Sequence, residues 1–477
     1  MGATELRQRL LQLDAQIVVQ RLALDALEQT RLDVERELHA TATFPVAELP
    51  AELITEIFLW CHPMHEDTFE VPSDVVCNDR SIPSPLTLAS VCRRWRDLAL
   101  STPELWSRIE FGFRDGSSAS EASQRVKQWL DRAAPRPLTV SLHARKSQRD
   151  ESSITQHLRH LIHLYSGTIQ HLTLVMLPQI AHQLGLESLQ LPLLRSVCLW
   201  HSSMNGGVPH TPHPVMLFTD APLLSKLRVS HFGATLLYYT LPWLQLTKFH
   251  GQIHTMELFI VAPNLTEVIC SVPYLTFTQT VITHQRLQSL ILTVSQNDIK
   301  PDDILCYLTL PALQSLHISE MDDTRYSSLY PFLSRSSPPL LSLSIRLDDA
   351  YFYDLKECFR CVQPTLETLT MEYPSEAVRQ SLYQHEQWTD GFPQLHTLKF
   401  ANVQGVNFTE LLQFLYDRQD LRSFQLSCTE GTFLDDSIAV ESGSHSITTH
   451  FTTLAARGMS VNISSGPKTY LNLVGSA

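Results

Sequence analysis

Apolar side chains along the first forty residues recur on a seven-residue beat. One seam position takes Leu10, Ile17, Leu24, Arg31 and Leu38; the other takes Leu6, Leu13, Gln20, Leu27 and Val34. Eight of these ten are apolar, and neither Pro nor Gly interrupts the run from Ala3 to Ala42. The pattern predicts a coiled-coil-like helix over residues 1–43. A self-paired dimer through residues 6–38 is one reading, and a single helix packed on its own C-terminal neighbour is the other. Pro45 ends the run, because proline drives the preceding Phe44 out of helical dihedrals.

The next stretch, LPAELITEIFLWCHP (49–63), predicts a helix over Ala51–Cys61 with Pro50 in its first turn. Leu49, Leu53, Ile54, Ile57, Phe58, Leu59 and Trp60 are too many apolar groups for one helical stripe. The surplus points to a protein partner rather than a small substrate. Residues 62–85 read as an inserted acidic loop with Pro63, Pro72, Pro83 and Pro85. A second helix is expected from about Thr87 to Leu100, then a third with Thr102 as N-cap and Pro103 at its first position. A linking helix is expected within 112–136.

From residue 137 the phrase Pro-x-Leu-x-x-Leu-x-Leu returns: LPLLRSVCL, APLLSKLRV, APNLTEVIC, LPALQSLHI, SPPLLSLSI, QPTLETLTM, FPQLHTLKF. Its first apolar anchors read as Ile169, Leu194, Leu224, Leu244, Leu265, Leu287, Leu313, Leu340, Leu366, Leu395 and Leu421, with gaps of 20 to 30 residues. A period in the twenties with this spacing is the leucine-rich-repeat signature. Each unit supplies a short strand and an irregular or helical return. One strand buries half its apolar face, so neighbours must stack into a curved parallel sheet. The fold class expected is therefore an α+β or α/β solenoid: an N-terminal helix, a small three-helix unit over 46–111, then an irregular leucine-rich-repeat solenoid over 137–477 with a C-terminal cap.

With 477 residues and 43 % hydrophobic content, the chain has material for several cores. A net charge of −13 opposes broad nucleic-acid binding, which needs a basic face. The nine cysteines lack a disulfide-like rhythm, the N-terminus has no signal-like apolar segment, and no run approaches the about 18 apolar residues of a membrane helix. A cytoplasmic or nuclear protein without membrane attachment is expected.

Catalytic chemistry finds little to work with. Cys358 and Cys361 form a lone CxxC with no second ligand pair. His157, His160 and His163 lack the glutamate of a zinc-protease helix, and Cys61, His65 and Cys77 lack zinc-finger spacing. Phosphate-binding glycine loops and the GxSxG elbow are absent. The expectation is a non-enzyme with no catalytic residue, no cofactor and no metal. Arg93, Arg94 and Arg96 read as a solvated helix face.

LPAELITEIFLWCHP followed by LASVCRRWRDLALSTPELWSRIEF resembles the F-box motif. The likeness is to the mushroom-type fungal F-box proteins, in which a short heptad helix precedes the box and irregular leucine-rich repeats follow. LDAQIVVQRLALDALEQTRLDVERELHATATFPVAELP and VKQWLDRAAPRPLTVSLHA share it. The acidic insertion between the first two box helices departs from the family pattern. The resemblance implies docking on the Skp-type adaptor of a cullin-RING ubiquitin ligase. It also implies a target protein held by the repeats. Carried over by position, the adaptor surface comprises Leu49, Pro50, Leu53, Ile54, Ile57, Phe58, Leu88, Val91, Cys92, Trp95, Leu98, Leu105 and Trp106. Pro50, Ile54 and Ile57 are expected on its outer face. A scaffold or sensor that uses the box only for assembly, without ubiquitin transfer, is the alternative.

Strand alternation places the residues two, four and six after each anchor on the concave face of the solenoid. Early strands then present Trp200, Lys226, Arg228, Lys248 and His250, and later strands mostly hydroxyls. These five form a candidate target-binding patch for an acidic or phosphorylated segment.

Overall fold

The computed structural model describes residues 3–41, 49–61, 84–112, 119–133, 135–143, 151–176, 184–201, 215–230, 239–253, 255–271, 280–293, 301–318, 328–347, 352–384, 392–418, 420–429, 447–466 and 468–475. Most of the acidic segment 62–85, with His65 and Cys77, lies outside them. Contacts gather the described chain into two compact units, one ending at Thr102 and the other beginning at Pro103.

The first unit is helical. Helix α1 spans Ala3–Thr41, α2 Ala51–Cys61, α3 Pro85–Val91 and α4 Arg93–Ser101. The continuous helix expected over 87–100 is broken at Cys92, whose backbone is extended at φ −152°, ψ 172°. Its sulfur accepts the Trp95 N–H at 3.4 Å, so one residue closes α3 and caps α4. Ser84 caps α3 by accepting from Leu86 N–H, and Pro85 fills the first turn, where no N–H is needed. Thr102, expected as an N-cap, instead ends α4 and bonds back to Leu98 O at 2.7 Å.

Among the described residues, the second unit is built on a fifteen-stranded sheet. Its strands run in chain order, and all neighbours pair parallel until Lys468–Leu473, which turns back antiparallel on Ser460–Ser465. The sheet starts earlier than the repeat phrases announce, with Arg108–Gly112 and Leu138–His143 ahead of Ile169–Met176. Returns differ in kind. Some are helices, such as Ala119–Ala133, Phe352–Val362 and Phe408–Asp417; others are single turns, such as Leu186–Ser188 and Trp243–Gln245.

The strand logic holds at residue level. In Ser289–Thr293, Leu290 and Leu292 are buried while Ser289, Ile291 and Thr293 are half-exposed, and Ser342–Arg346 and Thr368–Glu372 repeat the alternation. Ten of the eleven anticipated anchors are buried; Leu244 is 70 % exposed. The anchor of that repeat is Leu246, fully buried two residues before the strand Lys248–Gln252. The turn Trp243–Gln245 rotates Leu244 outward, so Leu246, which counting from Leu244 puts on the open face, points inward.

At Gly251 an inward position carries no side chain. A Cβ there would stand 2.5 Å from Val229 O and 3.2 Å from the Phe249 ring, which fills the volume instead. Guanidinium groups in this unit serve the chain itself. The exposed Arg335 donates to Leu305 O and Leu308 O at 2.7 Å, and the buried Arg379 donates to Pro374 O at 2.8 Å and Gly405 O at 2.9 Å. His284 accepts Leu287 N–H at Nδ1 and meets Ala262 O at Nε2, the two contacts of a neutral imidazole, and burial holds its pKa down.

Candidate protein-docking surfaces

Helix α2 carries two apolar stripes. At 100° per residue, Ile54 and Phe58 point one way, and Leu53, Ile57 and Trp60 lie roughly 110° around the axis. Ile54 and Phe58 are each 1 % exposed, and the Phe58 ring meets Trp95 of α4 edge-on at 4.9 Å. Leu53 and Ile57 are each 46 % exposed and Trp60 78 %. Two bonds tie the bundle: Arg94 Nη2 donates to Leu49 O at 2.6 Å and Arg96 Nε to Ala89 O at 3.0 Å. Two of the three arginines expected on a solvated face, Arg94 and Arg96, thus also brace the backbone.

The thirteen expected docking residues divide accordingly. Pro50, Leu53, Ile57, Val91 and Cys92 are exposed; Leu49, Trp95 and Leu98 are half-buried; Ile54, Phe58, Leu88, Leu105 and Trp106 are buried. Ile54, expected on the outer face, is core, because its stripe is the one that α4 covers. Leu105 and Trp106 belong to the sheet unit. There the Trp106 ring packs edge-on against Trp129 at 4.8 Å and beneath the Arg132 guanidinium, and Trp129 Nε1 donates to Trp106 O. In α2 to α4, three exposed apolar residues stand outside the thirteen: Trp60, Leu86 and Leu100. The first was visible as the residue completing the Leu53–Ile57 stripe.

On the open face of the sheet, register brings the five target-patch residues onto three adjacent strands, Ser196–His201, Lys226–Ser230 and Lys248–Gln252. Lys226 pairs with Lys248 across one row, and Cys198, Arg228 and His250 follow one another in the next. Trp200 stands opposite Ser230. The row beyond Lys248 adds Glu267, whose carboxylate accepts from Lys248 Nζ at 2.6 Å. Glu267 occupies the same position two residues after its anchor, so the repeat phrase itself discloses the pairing. Arg228 is only 8 % exposed, and burial lowers its pKa. His250 falls to about 4 through burial and then the Arg228 charge, so it is neutral at pH 7. Cys198 rises to about 11, chiefly by burial, and stays a thiol. The patch is therefore less basic than its sequence implies. The middle row continues through Ile269 and Ile291 to His317, which gives the open face an apolar stretch between polar ends.

The other candidate ligands are placed as far as they are described. Cys358 is buried on the helix Phe352–Val362, while Cys361 is half-buried; His160 and His163 are exposed on the helix Glu151–Tyr165. Among the described residues, no group of three or more His, Cys, Asp or Glu converges on a metal-sized site, and no helix is long and apolar enough to cross a membrane. No family model matches the chain, and no curated protein matches it.

Proposed function

We propose that the chain is the substrate-recognition subunit of a Skp–cullin–F-box type ubiquitin ligase. In this reading the outer stripe of α2 inserts into the Skp-type adaptor, and the open face of the sheet holds a target protein. The chain breaks no bond itself. Its contribution is positional, raising the effective concentration of a target lysine beside a ubiquitin thioester. The observation that carries the reading is the second apolar stripe of α2, with Leu53, Ile57 and Trp60 left open after Ile54 and Phe58 have completed the local core. Helix-in-groove recognition uses such i, i+4, i+7 anchors, and each central one contributes about 2 kcal/mol or more.

The test is co-purification of the full chain with a Skp-type adaptor and a cullin. Leu53→Asp/Ile57→Asp should keep the helical unit folded and weaken adaptor capture by roughly 100-fold or more. Ile54→Asp should unfold the unit instead. Wild-type chain that captures no adaptor overturns the reading. Adaptor capture without ubiquitin transfer leaves the assembly scaffold. For the target, the row of Lys226 and Lys248 supplies the positive charge, Lys248 sharing it with Glu267, and Arg228 lies in the next row, 8 % exposed. The chemistry that fits is an acidic or phosphorylated segment with an apolar residue for Ile269 and Ile291.

A further inference from the structure

Helix α1 is the longest element described, at 39 residues, and its seam is open. Leu10, Leu13, Ile17, Leu24, Leu27 and Val34 are 45 to 68 % exposed. Covering by the chain's own neighbours, one of the two readings of the heptad, is thus not what these side chains show. Apolar surface on that scale along a single helix requires a partner, since helix stability in water comes mostly from packing of the apolar face.

We infer that α1 pairs with α1 of a second copy of this chain, and that the two helices run antiparallel. The charge distribution selects both occupant and direction. Residues 3–21 carry Arg7, Arg9 and Arg21 against Glu5 and Asp14, a net +1; residues 22–41 carry Arg31 and Arg36 against Asp25, Glu28, Asp33, Glu35 and Glu37, a net −3. An antiparallel pair lays each basic half along the partner's acidic half. A parallel pair sets −3 beside −3 and stacks Arg31 on its own copy in the seam. With helix centres superposed, Leu10 faces Val34, Ile17 faces Leu27, Gln20 faces Leu24, and Arg31 faces Leu13. Arg31 lays its stem on that leucine and keeps Glu35, 3.6 Å away on its own helix, as its ion partner. Arg9 and Glu37 fall side by side along the flank. The opposed helix dipoles favour the same direction.

The inference is independent of the adaptor reading and is tested on the full chain without any partner. Light scattering at micromolar concentration should give twice the chain mass of 54.1 kDa. Leu13→Glu/Leu24→Glu should raise the dissociation constant by roughly 100-fold or more, since it buries charge in the seam. Val19→Gln, off the seam, should leave the mass unchanged. Direction is read with a photo-crosslinking p-benzoylphenylalanine in place of Arg9. An antiparallel pair links it to the partner's 34–40 segment, and a parallel pair to 10–16. A monomer at all concentrations, loss of the dimer in Val19→Gln, or links confined to 10–16 would each overturn the proposal.

Discussion

The sheet unit and the helical unit handle apolar surface in opposite ways. Inward leucines of successive strands, Leu290, Leu316, Leu343 and Leu369, are each fully buried, because every repeat closes its neighbour's open face. Helix α2 buries Ile54 and Phe58 just as completely, then leaves Leu53, Ile57 and Trp60 in water. The sheet can add repeats until its surface is consumed and needs a cap only at its end, which the antiparallel strand Lys468–Leu473 supplies. Three short helices have too little surface to cover one another on every side. Exposed leucines therefore mean different things in the two places. Leu193, Leu223 and Leu244 lie singly at the starts of repeats, where scattered exposure is ordinary. Leu53, Ile57 and Trp60 follow one helical line.

The largest effect expected from this contrast comes from matched truncations. Leu316→Ala opens a cavity between strands that are already fully packed and should cost about 3 kcal/mol in denaturant-derived stability. Leu53→Ala removes the same atoms from a half-exposed position and should cost no more than about 1 kcal/mol. Equal losses at the two positions would mean that the outer stripe of α2 is core, and the contrast between the units would disappear.

The same contrast explains what the sequence discloses. Repeat anchors are legible because a strand has only two sides and the phrase recurs, so an error at one copy stands out against the others. The one misplaced anchor arose where LPWLQLTKF offers Leu244 and Leu246 two residues apart, and only the intervening turn decides between them. Helix α2 offers no such internal check. Its apolar residues make two stripes, and periodicity cannot say which faces α4, so Ile54 was expected outside and is inside. Trp106 misleads for a related reason. It follows the box-like residues in sequence, but its ring belongs with Trp129 of the sheet unit. The break at Cys92 has no proline or glycine to announce it. The ion pair of Lys248 needed the neighbouring strand's register, which the anchors fix.

Acid should separate the units by a smaller margin. His250 has its pKa depressed from 6.5 to about 4, and burial likewise lowers His284 and His317. All three lie in the sheet unit, whereas α2 to α4 contain no histidine. A histidine held neutral in the fold takes up its proton in the unfolded chain first. Stability from this source is therefore complete above pH 6.5 and is lost as the pH falls toward 4. The unfolding midpoint of the sheet unit should drop between pH 7 and pH 5, and His250→Gln should flatten that slope. An unchanged slope in His250→Gln would show that its ring is not held neutral by the fold.

The smallest effect concerns the open face, where the sheet meets solvent as α2 does, but with polar groups. Lys248 and Glu267 are 38 % and 31 % exposed, and a pair so placed contributes about 0.2–1 kcal/mol, since water screens it and both side chains lose freedom. A double-mutant cycle with Lys248→Met and Glu267→Gln should return a coupling within that range. Because the pair is weak, removing the carboxylate leaves the fold intact and adds one net positive charge to the row of Lys226 and Lys248. Glu267→Gln should then tighten capture of an acidic or phosphorylated peptide several-fold at low salt, with the gain fading as ionic strength rises. A coupling above about 2 kcal/mol would make the pair a structural clasp, beyond what exposed ion pairs supply. The open face would then resemble the sheet's interior in its demands, and the place to look for a target would move away from the strands.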